Sequence, residues 1–147
     1  MKKLNFKKSD LIILILSPII AILISLFLHA NFLITMLLYF AIPSIYFSYK
    51  TPLAIKKTML IALWALPITL FLDYLAFLNE TWSVPTIFPF RILGLIPLED
   101  FIFSFLFVYF VVILKEHFFE KTHNPNYYKL IRYGITVIIF LIVFFIL

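Results

Sequence analysis

The chain has 147 residues, of which 65% are hydrophobic and 13% charged, with a formal net charge of +5 and no cysteine. A water-soluble domain of this length carries about a quarter charged residues and has too small a core to hide so many apolar side chains, so the composition points to lipid as the solvent. Secreted disulfide scaffolds, disordered regulators and nucleic-acid binders are excluded together, since each needs bridging cysteines or a polar surface, and the surplus of cations reads as membrane topology.

From Leu11 to Tyr49 there is no Lys, Arg, Asp or Glu. At roughly 20 residues per crossing that run is too long for one span and right for two, with the turn at His29, Ala30 and Asn31. Further apolar runs extend from Thr58 to about Leu78, from Leu95 to Leu114, and from Tyr133 to Leu147. The expected fold is therefore all-α, a polytopic transmembrane bundle of about five helices forming a single membrane domain over residues 1–147. The last helix reaches across only if Lys129 and Arg132 snorkel to the interface. The polar stretch from Lys115 to Asn126, with His117 and His123, reads as a solvated loop; its spacing does not specify a metal site.

The cations test this count. Lys2, Lys3, Lys7 and Lys8 precede the first helix, Lys50, Lys56 and Lys57 lie between the second and third, and Lys115, Lys121, Lys129 and Arg132 lie between the fourth and fifth. Alternating helices put all of them on one side, leaving Arg91 on the other, so the amino terminus is expected in the cytoplasm of a multi-pass cell-membrane protein. The residues before Ala30, Leu28 and His29, do not make a small-residue cleavage site, which favours an uncleaved first helix over a signal peptide.

Four of the seven acidic residues lie in one window: Asp73, Glu80, Glu99 and Asp100. Asp73 falls inside the third apolar run, where an ionisable side chain is costly enough to suggest function. Glu99 sits about as far into the fourth run as Asp73 lies from the end of the third, which predicts the two carboxyls at one membrane depth, facing each other across a cavity. Asp100 is about 100° further round the helix, turned toward the loop or a neighbouring helix. A plainer reading is open for each. Pro97 followed by Glu99 and Asp100 suits a helix start, Asp73 could pair with Arg91, and Trp82 could be an interfacial belt residue.

The ordered string Asp73-Tyr74-Leu75-Ala76, Trp82, Gly94, and Pro97-Leu98-Glu99-Asp100-Phe101-Ile102-Phe103 resembles the lycopene cyclase domain family, small integral-membrane proteins that act as heterodimeric subunits or fused repeats. The resemblance covers roughly Phe32 to His117, a three-helix unit over residues 32–117 with one extra helix on each side. Asp100 stands where the family has a second Glu, and Leu72 where it often has Trp. The resemblance implies cyclisation of the linear end of lycopene or a related carotene, by a single domain that works as a homodimer or as half of a heterodimer with a second cyclase-like subunit.

Residue chemistry agrees with that implication. Protonating an alkene takes a neutral carboxylic acid in a dry site, and burial favours the neutral form of a carboxyl. Glu99 is the expected proton donor. Asp73 is expected to hold the carbocation with Trp82, Tyr74, Phe101 or Phe103 around it, and Asp100 or Asp73 to remove the final proton. Proton addition and loss involves no net redox change, so no cofactor is expected. With no Gly-x-Gly, the chain lacks the turn of a flavin-binding fold. A membrane prenyltransferase would need Asp-rich pairs for Mg²⁺ and diphosphate, and none is present. The alternative of another class is a non-catalytic subunit that binds carotenoid or scaffolds a complex.

The cation distribution makes a direct prediction. Reporter fusions after Lys8, Lys57 and Lys121 read cytoplasmic and a fusion between Asn79 and Phe90 reads external; an external Lys57 fusion overturns the helix count.

Overall fold

The structure, a computed structural model, describes residues 8–81, 86–92 and 94–119. It is predominantly helical. Three segments are long and apolar enough to cross a membrane: Lys8–Phe27, Phe32–Lys50 and Pro52–Leu78. Helix α1 spans Lys8–Phe27, α2 spans Phe32–Lys50, α3 spans Ile55–Leu78 after a 3₁₀ turn at Pro52–Ala54, and α4 spans Leu98–Phe119. The predicted fifth helix, Tyr133–Leu147, lies outside the described residues.

Two prolines shape the first half. Pro18 cannot donate to the Leu14 carbonyl within α1, and the Ser17 hydroxyl reaches that oxygen at 3.5 Å instead. In α2, Pro43 has no N–H and its ring crowds the carbonyl four residues back, so the preceding turn widens. Leu37–Ala41 is π-helical, and the Ile42 N–H bonds to Leu37 O, five residues earlier. The wide turn aims Phe40 at α4, where its ring lies 5.6 Å from Phe103 and 5.7 Å from both Phe107 and Phe110, edge-on to each.

The predicted turn after α1 is present. His29 takes a left-handed φ of 47°, the Ala30 N–H returns to Ser25 O at 2.9 Å, and the Asn31 side chain caps α2 through the Ile34 N–H. The end of α3 repeats the device with another residue that is not glycine. Glu80 has φ 53°, and the Thr81 N–H returns to Ala76 O at 3.1 Å.

The most extensive helix contact is α3 against α4. Thr58, Ala62 and Leu66 recur every four residues and are buried, and the small side chains of Thr58 and Ala62 let the helices approach closely. Asp73 is seven residues beyond Leu66 and lies on the same face. Between α3 and α4 a short ribbon pairs β1, Arg91–Ile92, with β2, Ile96–Pro97, closed by Gly94 at φ 76°. A Cβ on Gly94 would meet nothing within 4 Å, so the backbone angle is what calls for glycine. The sequence placed the fourth helix from Leu95; Ile96 and Pro97 are instead extended, and Pro97 leads directly into α4.

The loop expected from Lys115 onward is also corrected, because α4 continues through Phe119 and buries His117. The His117 Nε2 atom lies 2.9 Å from Asp10 Oδ2 in the first turn of α1, and Nδ1 lies 2.8 Å from Thr51 Oγ1 at the end of α2. Tyr46 donates to Asp10 Oδ1 at 2.8 Å, and Lys57 pairs with Glu116 at 2.7 Å. Satisfied side-chain polarity pulls the helix on where sequence polarity suggested a solvated turn. His123 lies outside the described residues.

This clamp joins three helices at one end of the bundle. Replacing Asp10 or His117 by Ala strands a buried partner, so each variant loses about 1.5–3 kcal/mol of stability, read as a lower melting temperature in detergent. An unchanged melt for both variants contradicts the clamp.

Candidate active site

At the opposite end, the first turn of α4 carries Glu99 and Asp100, with relative exposures of 0% and 2%. Pro97 fixes the entry, and an acidic first turn meets the positive end of the helix dipole. Residues one helical turn apart share a face, so Asp100 goes with Ser104 and Glu99 goes with Phe103.

The Asp100 and Ser104 face meets Asp73. The Ser104 hydroxyl donates to Asp73 Oδ2 at 3.4 Å, a long hydrogen bond between α4 and α3. Asp100 is within electrostatic reach of both Asp73 and Glu99. Glu99 Oε1 accepts two backbone N–H groups from the segment before β1, from Ile87 at 2.6 Å and Phe88 at 2.9 Å. The other oxygens, Glu99 Oε2 and Asp100 Oδ2, are buried without a hydrogen-bond partner.

The expected arrangement had Asp73 facing Glu99 and Asp100 turned away. In the structure it is Ser104 that bonds Asp73, Asp100 lies within electrostatic reach of both Asp73 and Glu99, and Glu99 holds the loop. Its physical origin is the pair of N–H groups at Ile87 and Phe88, which a carboxyl oxygen satisfies and a hydrocarbon environment does not. Arg91 donates to Leu95 O at 3.0 Å, inside its own ribbon, which is the bond found for it in place of one with Asp73.

The aromatic candidates divide similarly. Phe103 stacks on Phe107 at 5.9 Å with 13° between ring planes, and lies 6.0 Å from Phe32 and 5.6 Å from Phe40. Tyr74 and Phe101 are half-buried. Trp82 lies outside the described residues. Among the described residues no three His, Asp or Glu side chains converge as metal ligands.

Sequence reasoning missed Ser104, whose signal was its place one turn beyond Asp100. It also missed the Asp10–His117 pair, whose members are 107 positions apart. An acidic residue at the edge of the first apolar run was the available cue.

No family model matches the chain, and neither a curated protein nor a solved structure matches it.

The two N–H bonds to Glu99 make a prediction that separates acceptor from acid. Glu99→Ala removes the acceptor, so amide hydrogen exchange at Ile87 and Phe88 speeds up by about tenfold or more, the scale of a lost hydrogen bond to a charged or polarised group. Glu99→Gln keeps a carbonyl oxygen there and retains most of the protection. Equal exchange in wild type and Glu99→Ala contradicts the geometry.

Proposed function

We propose that this chain is a subunit of a membrane carotenoid cyclase, closing the linear end of a lycopene-type carotene into a ring by acid–base isomerisation. Its reading as a five-helix protein of the cell membrane, amino terminus in the cytoplasm, belongs to the same proposal. The observation that carries the chemistry is the pair of buried, unpartnered carboxyl oxygens on adjacent residues, Glu99 Oε2 and Asp100 Oδ2.

Burial weighs against a purely structural acidic helix start. A carboxylate near a helix N-terminus is favoured by about 0.3–1 kcal/mol at exposed positions. Leaving a buried polar oxygen unpaired costs about 1–3 kcal/mol, and more if charged. In buried geometries the dipole reaches about 2 kcal/mol, comparable with the cost of one such atom, but a structural role needs no burial at all. Stored polar strain of this kind collects at sites of chemistry.

Each step of the reaction is assigned a residue. With Oε1 occupied by the Ile87 and Phe88 N–H groups, Oε2 of Glu99 is the oxygen that carries the acid proton. Its transfer to the terminal alkene leaves a tertiary cation, which an internal double bond attacks to close the ring. Asp73 and Asp100 supply negative charge beside the cation, and Phe103 supplies a π face, with Tyr74, Phe101 and Trp82 as the other wall candidates. Loss of a ring proton to Asp100 or Asp73 restores a neutral alkene, so one proton enters, one leaves, and no redox cofactor takes part. The ordered resemblance from Asp73 to Phe103 supports the same assignment, and with it a second copy or a second cyclase-like subunit as partner.

A second reading has its own observation. Glu99 holds the loop backbone, and a non-catalytic carotenoid-binding or scaffolding subunit could use it for that alone. The experiment is expression in a lycopene-accumulating host, with and without a homologous subunit, followed by pigment chromatography. Glu99→Gln preserves the loop acceptor and removes the acid, so cyclised pigment falls by at least about 10²-fold while the protein level in membranes is unchanged. Near-normal cyclisation by Glu99→Gln leaves Glu99 a structural role only.

A further inference from the structure

A shallow, open groove lies on the outside of α3 near its start, lined by Leu53, Lys56, Lys57, Leu60 and Ile61. These residues recur at helical spacing on the face opposite the buried Thr58, Ala62 and Leu66, so the groove looks away from the bundle. Below it, one turn beyond Leu60, Trp64 is 78% exposed, and Leu53 at the rim is 97% exposed. The order along the helix axis is an apolar rim, two ammonium groups, then an apolar wall continuing into the span Pro52–Leu78.

The two lysines are not equivalent. Lys57 is tied to Glu116 at 2.7 Å, which fixes it at the edge of α4 and balances its charge. Lys56 is exposed and sets the sign of the groove. Lys50, over the ring of Tyr46 at 5.4 Å, adds a cation at the same end of the bundle. A lysine ammonium placed above a wall of Leu, Ile and Trp matches the chemistry of a phospholipid, with acidic headgroup above and acyl chain below.

We propose that this groove seats an anionic membrane phospholipid, its headgroup phosphate on the Lys56 ammonium and an acyl chain along Leu60, Ile61 and Trp64. The site is separate from Asp73, Glu99 and Asp100, and stands whether or not the chain is a cyclase. Charge complementarity selects the occupant. A zwitterionic lipid gains the same apolar contact and less from Lys56, and a soluble phosphate lacks the acyl contact.

The full-length protein in a non-ionic detergent tests this by native mass spectrometry with phosphatidylglycerol, phosphatidylcholine or glycerol phosphate added. Phosphatidylglycerol is retained in preference to phosphatidylcholine, and glycerol phosphate at the same concentration is not retained. Lys56→Gln lowers the preference by about fivefold, the effect of one lysine near an anionic surface, while Lys8→Gln, an exposed cation on α1, leaves it unchanged. Lys56 is exposed, so the variant keeps the wild-type melt in lipid-free detergent. Raised salt weakens the preference in wild type. Equal retention of the two lipids, an unchanged preference in Lys56→Gln, an equal loss in Lys8→Gln, or a second copy of the chain displacing lipid from this face overturns the proposal.

Discussion

A polar side chain among hydrocarbon must find a partner or sit at the end of its helix, and that constraint sorts the described ionisable groups into two layers. One layer holds Asp10, Tyr46, Lys50, Lys57, Glu116 and His117, linked by ion pairs, hydrogen bonds and the contact of Lys50 with the Tyr46 ring. The other holds Asp73, Arg91, Glu99 and Asp100. Between them the helices are packed by Ala62, Leu66 and the Phe40 ring cluster. The helices alternate in direction, so a single bundle brings residues from distant parts of the chain to each end.

The two layers differ in how completely they are satisfied. In the basic layer the carboxyl of Asp10 uses both oxygens, one for Tyr46 and one for His117, and the imidazole of His117 uses both nitrogens. Such a network specifies how α1, α2 and α4 meet. In the acidic layer Glu99 and Asp100 each keep a buried oxygen without a partner. The Asp10–His117 network thus ties helices together at one end, while two neighbouring carboxyls at the other end each keep a free oxygen.

Much of this was legible in the sequence because helix periodicity and charge-free runs are local signals. The turn at His29 to Asn31, the third helix ending at Leu78 and the proline entry to the fourth are all where residue types demanded them. The acidic cluster was also visible, as depth counted from the loop between α3 and α4. Direction around the helix axis was harder. Ser104, one turn beyond Asp100, bonds Asp73, and Glu99 turns to the Ile87 and Phe88 N–H groups. Loop backbone carries no side-chain pattern from which such a need can be read. The same holds for His117. Its polarity suggested water, and the pairing with Asp10 and Thr51, set by tertiary packing, turns it inward. The widened turn before Pro43 follows from proline chemistry, but its consequence, Phe40 facing α4, depends on which helix lies alongside.

The central claim is that a carboxyl proton enters the substrate and a different hydrogen leaves, with no change in oxidation state. Membranes containing the protein, with its partner subunit if one is needed, supplied with a lycopene-type carotene in D₂O test this most directly. Exchangeable carboxyl protons become deuterons, so each ring closed acquires a single deuterium from solvent and the product is heavier by one mass unit per ring. A cyclised product of unshifted mass, or one that has lost hydrogen, contradicts protonation by a buried acid and with it the assignment of Glu99, Asp73 and Asp100.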